Sequence, residues 1–426
     1  MEAIAVSFAV NPHTNLPLAC VSGPRNQLSL GIGIPLEANI VAIRQDVVKV
    51  VLVSLDWFFI SPTTRPVIMK RCVGLLKEEE LLLAASHVHT SPNTDSSKRA
   101  FSDISQEYVS SVENAVADAI FELLTNAAWT EVHVRFSERS AKYSIHRRRK
   151  GWNLGRRGLH REVTFAPNPQ GPTDEGVRVM TIETIEGNLI GVLWGISCHP
   201  VAWPKPEEIS SDFPGGVREE IRAAAGAHLP VLFFQGFCGD LRPPATGYWS
   251  RNWDWRRKLL ALFGALLQEA SFVPFSQKEY CKWLTFINLV VGDTFEDCLN
   301  SEPLDPNLKS RISHIPLSSL GLEGEISSML CQILLLSKRF VFVAIGAEIC
   351  WEYYEMLSNI FPGSKVWPVG YADAVYGYLP TSAMLDEGGY EVSGFMRQFQ
   401  IRGVFPPDLD RIVCQQFELM RSSAEE

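Results

Sequence analysis

Basic charge is in short supply in this sequence: 39 Lys and Arg stand against 48 Asp and Glu, a formal charge of −9 over 426 residues. A phosphate backbone demands a basic face, so a nucleic-acid partner is not expected. No window carries the roughly 18 apolar residues of a spanning helix. The longest candidate, "EANIVAIRQDVVKVVLVSLDWFFI", is broken by Arg44, Asp46, Lys49 and Asp56, so stable membrane insertion is not expected either. The first residues, "MEAIAVSFAVNPHTN", have no basic n-region and no sustained apolar run, and no signal peptide is read there. The nine cysteines, at 20, 72, 198, 238, 281, 298, 331, 350 and 414, fall in no C-x-x-C pair. That argues against a disulfide framework and a cysteine zinc knuckle, and for reduced thiols in a cytoplasm. Repeats, low-complexity tracts and Gly/Ser linkers are missing too, so residues 1–426 read as one large domain.

What is present is a rhythm of apolar runs and amphipathic stretches. Strands are expected at 47–59, 81–87, 130–140, 188–200, 229–236 and 338–348. Helices are expected at 64–79, 104–127, 212–227 and 253–270, with another after Glu348. Asp212 is read as a helix cap, with Pro214 in the first turn. The alternation predicts an α/β fold, a mixed β-sheet core flanked by helices. Segment 271–335 is the least legible, with room for an antiparallel excursion. The dense basic run from His146 to Arg161 reads as a solvated loop or as a receiver for an anionic or polar substrate group.

Histidine is scarce, nine in all, yet two stand one residue apart in "LLLAASHVHTSPNTD". Residues i and i+2 of a strand point the same way, which places His87 and His89 on one face. One imidazole can then bind a metal while the other works on the metal's water. His87 ends "LLLAAS", His199 ends "VLWGISC" and Glu348 ends "FVFVAIGA". Ligands of open α/β sheets bind beyond the carboxyl ends of strands. Two histidines and a carboxylate are the set that leaves a zinc position open for water. A satisfied core histidine is the plainer reading of any one of them.

Further pieces of the chain extend the pattern: "ASHVHTSP" (85–92), "IHRRR" (145–149), "CHP" (198–200), "SSDFPGGVR" (210–218), "FFQGFCGDLRP" (233–243), "IGAE" (345–348) and "GYADAVYGYLPTSAMLDEGGYEV" (370–392). In this order they resemble the neutral (neutral/alkaline, non-lysosomal) ceramidase family, zinc amidases that cleave an N-acyl sphingosine. The resemblance implies His87, His199, Glu348 and the phenol of Tyr378 as zinc ligands. It implies His89 as the group handling the water's proton, and Tyr390 and Arg147 as donors to the developing oxyanion. Asp56 and Asp240 are candidate partners for the ligating imidazoles, with loop capping the favoured alternative.

Typical members are secreted or membrane-anchored and carry an immunoglobulin-like C-terminal domain; neither is read here. The family's "H-x-H-S" is "HVHT" in this chain. A zinc-dependent amidase acting on a cytosolic, small-molecule N-acylated substrate other than ceramide is therefore the leading expectation. A true ceramidase, a non-catalytic binding module, and a cysteine hydrolase using Cys198 or Cys238 are the alternatives. The cysteine reading suffers because neighbours in a strand face opposite ways, separating Cys198 from His199. Trp152, Trp203, Trp249, Trp253 and Trp255 could line an apolar or sugar-binding pocket, or be plain core and surface.

Overall fold

The computed structural model describes residues 1–19, 25–125, 128–155, 158–247 and 270–425. Its core follows from strands that are apolar on both faces and so need cover on both sides. Val50 and Leu52 point one way, Val51, Val53 and Leu55 the other, and all five are buried. Val48–Leu55 lies inside an eight-stranded mixed sheet. The strand order is Val231–Phe233, Leu189–Gly195, Gly176–Thr184, Thr130–Ser140, Glu2–Ala9, Glu37–Gln45, Val48–Leu55, Leu81–Ala85. The outermost pair at each edge is parallel and the interior pairs are antiparallel.

A second sheet has the order Pro306–Pro316, Ser328–Ser337, Phe340–Ile345, Lys365–Val369. Between the sheets, Val50, Leu52, Leu82 and Leu193 join Leu334, Phe340, Phe342 and Trp367 in one apolar cluster. On the far side of the large sheet, Val51, Val53 and Leu83 share a cluster with Val112, Val116 and Ile120 of helix Gln106–Thr125. Val192 and Trp194 pack with Phe213 and Val217 of helix Asp212–Ala225 and with Ile287 and Val291 of helix Gln277–Leu299. Val341, Val343 and Ile345 cluster with Leu357 and Phe417, from helices Tyr353–Ile360 and Leu409–Glu425. Two sheets stacked between helices are the mixed-sheet α/β architecture expected from the sequence.

Two local expectations change, and the antiparallel excursion within 271–335 is found. The basic run is no loop: Ile145–Gly155 pairs antiparallel with Gly158–Asn168. Its arginines sit in a strand because a buried glutamate, Glu391, takes up two of them. The segment 271–335 holds the antiparallel pair 306–316 and 328–337, preceded by helix Gln277–Leu299. That helix starts at a capping box between Ser276 and Glu279. It buries Tyr280, Trp283, Ile287, Val291 and Cys298, at helical spacing. The expected strands at 81–87, 188–200 and 338–348 stop early, at Ala85, Gly195 and Ile345, so each candidate ligand lies in the chain just beyond. The expected helix 253–270 lies outside the described residues, apart from Ala270.

Asp56 follows Val48–Leu55, the strand next to the sheet's edge, and acts as a structural clamp. Its carboxylate accepts from Arg218 Nη1 at 2.7 Å and from the Glu37 backbone N–H at 3.0 Å. Arg218 also donates to the Pro35 carbonyl at 3.0 Å. Burial pushes the Asp56 carboxyl upward in pKa and the Arg218 charge only partly offsets it. The pair ties helix 212–225 to the sheet edge from which His87 departs. Replacing one member of a buried ion pair strands the other charge, at about 3–5 kcal/mol. Asp56→Ala is therefore expected to lower unfolding free energy by about that amount in urea titrations; a loss below about 1 kcal/mol would contradict this role.

Candidate metal centre

Beyond Ala85 the chain turns sharply, and His87 takes a left-handed backbone, φ 62°. Histidine tolerates this region better than most residues. The strand alternation expected to align His87 with His89 therefore does not operate, since both lie past the strand's end. The turn brings them together all the same, rings edge to face at 4.9 Å. His87 is sandwiched between Phe58, 4.7 Å and 17°, and Tyr371, 4.0 Å and 25°.

The tautomers follow from the hydrogen bonds. His87 Nδ1 lies 2.8 Å from the Phe58 carbonyl, and His199 Nδ1 lies 2.8 Å from the Cys238 carbonyl. A carbonyl only accepts, so each Nδ1 carries the proton and each Nε2 keeps its lone pair. Those Nε2 atoms face Glu348 Oε2, at 3.6 Å from His87 and 3.3 Å from His199. Nε2 of both His87 and His89 is buried and has no partner. The three histidines bring ring nitrogens within 4.8 Å of one another. Burial drives all three imidazoles toward the neutral form, His87 to about 3 and the other two well below their ordinary range. Two lone pairs and a carboxylate oxygen facing each other form an acceptor set short of donors; Tyr371 Oη supplies one hydrogen bond to Glu348, at 3.3 Å. A divalent cation would complete this set of lone-pair donors.

Glu348 stands opposite Tyr378 in a short parallel bridge, with the Glu348 N–H bonded to the Gly377 carbonyl at 2.9 Å. Burial raises the Tyr378 phenol well above its ordinary pKa, while the Arg147 charge pulls it down. A register shift between His146 and Arg148 interrupts the hairpin. Such a bulge re-aims side chains, and here consecutive arginines reach one acid. Arg147 Nε bonds Glu391 Oε1 and Arg148 Nη1 bonds Oε2, each at 2.8 Å. Arg147 Nη2 stays buried without a partner. Its guanidinium lies 5.2 Å from the Tyr378 ring and 5.7 Å from the Tyr390 ring. Tyr390 starts a π-helical turn, and its hydroxyl donates to Gln398 Oε1 at 3.0 Å.

The structure thus gathers His87, His89, His199, Glu348, Tyr378, Arg147 and Tyr390 in one region. It does not bring Asp56 or Asp240 to the imidazoles; backbone carbonyls hold those rings instead. Tyr371, Phe58 and Glu391 belong to the site and were missed. Tyr371 sits in a quoted motif, but an aromatic in a turn carries no spacing signal. The cysteine reading finds no activated thiol: burial pushes Cys238 up to about 12 and Cys198 well above its usual value. Trp203 packs against Tyr280 on the helix-covered side. Trp249, Trp253, Trp255 and the side chain of Trp152 lie outside the described residues.

A second cluster, His146, Asp240 and Glu352, also converges. His146 Nε2 lies 3.1 Å from Asp240 Oδ2, while His146 Nδ1 accepts the Arg148 N–H at 3.3 Å. That tautomer spends the Nε2 proton on Asp240, leaving no lone pair there for a cation. Burial, then the Asp240 charge, raises Glu352 to about 9. Glu352 is thereby kept protonated beside Asp240, whose Oδ1 receives the Trp351 N–H at 2.9 Å. The folded state holds a proton that the unfolded chain releases near the ordinary carboxyl value, so stability falls as pH rises from there to about 9. Glu352→Gln is expected to flatten this decline between pH 6 and 9 in urea midpoints; parallel curves for the two proteins would refute a protonated Glu352.

No protein-family model matches the sequence, and no curated protein does. Among solved structures, neutral ceramidase from Pseudomonas aeruginosa superposes with a TM-score of 0.73 at 13% identity, covering 100% of this chain and 74% of that one. A ceramidase complexed with C2 gives a TM-score of 0.70 at 13% identity, covering 100% of this chain and 75% of that one. At such identity the likeness is one of architecture, and it runs the full length: this chain is built on the neutral-ceramidase fold.

Proposed function

We propose that this protein is a zinc-dependent amidohydrolase that hydrolyses an N-acyl bond of a small cytoplasmic substrate other than ceramide, residues 1–426 acting as one catalytic domain. The observation that carries this reading is the trio of His87 Nε2, His199 Nε2 and Glu348 Oε2, facing one another within 3.3–3.6 Å of the carboxylate oxygen. His87, His199 and Glu348 would hold the ion, with Tyr378 as the fourth ligand. When bound, the ion supplies Lewis acidity, enough to bring a water's pKa near 7 and to polarise an acyl carbonyl. The fold likeness to ceramidases favours amide chemistry. Eight described cysteines are all unpaired, which favours a reducing compartment. Among the described residues no helix is long and apolar enough to cross a membrane.

The remaining roles belong to the chain itself. His89 is partly exposed, whereas His87 and His199 are buried, so the substrate approaches from the His89 side. Its neutral imidazole, with Nε2 unpartnered, takes the proton of the attacking water and returns it to the leaving nitrogen. Arg147 Nη2, also unpartnered, and the Tyr390 hydroxyl, once released from Gln398, donate to the oxygen that gains charge. Tyr371 and the two backbone carbonyls fix the ligand geometry from behind.

Two outcomes test this. Purified protein is expected to contain about one zinc per chain by mass spectrometry, and His87→Ala, His199→Ala or Glu348→Ala to lose both metal and turnover of an N-acyl panel spanning amines, amino sugars and ceramide. A protein that takes up no divalent metal would sink the proposal. His89→Ala is expected to keep the zinc but to lower kcat by roughly 10²–10⁴. Unchanged turnover would remove His89 from proton transfer.

A further inference from the structure

Two guanidiniums border the catalytic region, and only one has a carboxylate. Arg147 is neutralised by Glu391 at 2.8 Å. Arg242 belongs to the short strand Leu241–Arg242, which pairs antiparallel with the start of the hairpin, Arg242 opposite Ile145. The bulge between His146 and Arg148 re-aims Arg147, and ring contacts show where the two guanidiniums meet. They lie over one ring: Arg147 is 4.9 Å and Arg242 5.2 Å from the centroid of Phe165. A second ring, Phe272, lies 4.8 Å from Arg242.

Among the described residues no carboxylate pairs with Arg242. Burial, and then the charge of Arg147, pull its pKa down to about 10. Aromatic faces compensate a half-buried guanidinium only in part. Its charge also disfavours the protonated forms of His89 and His199. The preceding residue, Leu241, receives the His199 backbone N–H at 3.2 Å. A half-buried cation packed against two touching rings, with no carboxylate partner among the described residues, has the fork geometry that receives an oxyanion.

We propose that the substrate carries an anionic oxygen group, a carboxylate or a phosphate, that seats on Arg242 where it packs against Phe165 and Phe272. This rests on the amidohydrolase reading for the bond that is cut, but not for the binding of the anion. A neutral N-acyl sphingoid base offers nothing to this arginine; an N-acyl amino acid or an N-acylated phosphoamine does.

The test is calorimetric titration of the full chain with matched ligands, N-lauroylglycine against N-lauroylglycinamide and N-lauroyl-phosphoethanolamine against N-lauroylethanolamine, followed by turnover of the same four. The anionic member of at least one pair is expected to bind at least roughly tenfold tighter, the lower range for a charge-assisted hydrogen bond; which pair shows it separates carboxylate from phosphate. Arg242→Gln is expected to bring that ratio below threefold and Arg242→Lys to retain part of it, which distinguishes the arginine from direct capture of the anion by zinc. Equal affinities within both pairs, absent binding, or a preference that survives in Arg242→Gln would overturn the inference. If the preference holds while none of the four is hydrolysed, the anion site stands and the catalytic reading falls. Hydrolysis without any charge preference does the reverse.

Discussion

Two imidazole lone pairs pointing at a buried carboxylate are the constraint on which the rest of the structure depends. Each histidine spends its Nδ1 proton on a backbone carbonyl, Phe58 for His87 and Cys238 for His199. That fixes both Nε2 atoms as acceptors, and burial keeps them from taking up protons of their own. Glu348 adds a third acceptor between them. Unsatisfied buried polar atoms are costly, and a fold keeps such a cluster when something bound completes it. The surrounding elements read as scaffolding for it: the Phe58 and Tyr371 stack on His87, and the short bridge that sets Glu348 beside Tyr378.

The same economy governs the arginines. The bulge at His146 sends Arg147 and Arg148 to one glutamate, which leaves Arg147 immobile with one donor to spare. Immobility matters because an oxyanion donor is effective to the extent that it need not reorganise. Behind this wall, Asp240 links three segments: it receives the Trp351 N–H, bonds His146, and its carbonyl receives the Arg147 N–H at 2.8 Å. Protonation of Glu352 lets the two acids lie side by side there. The clusters differ by tautomer, since His146 donates from the nitrogen that His87 and His199 keep free.

Much of this was legible in the sequence, for definable reasons. Apolar runs ending in His, His and Glu point to side chains that converge beyond strand exits, and these three do. The alternation argument for His87 and His89 reached the right neighbours by the wrong route, since the backbone has already left the strand. The helix 277–299 was hidden because its Val, Ile, Phe and Thr residues favour strands, although the period of Tyr280, Trp283, Ile287 and Val291 is helical. The hairpin at 145–168 was masked by its charge. The acid that absorbs that charge, Glu391, lies more than two hundred residues away, and no local pattern points to it. Tyr371 and the carbonyls of Phe58 and Cys238 were invisible for a like reason: stacking and backbone contacts made through tertiary structure leave no spacing behind.

The central claim is most directly tested by diffraction at the zinc edge from crystals of the full chain grown with zinc. The account predicts one strong anomalous peak about 2.0–2.2 Å from His87 Nε2, His199 Nε2 and a Glu348 carboxylate oxygen. A map with no peak there, or with its peak among His146, Asp240 and Glu352, would contradict it.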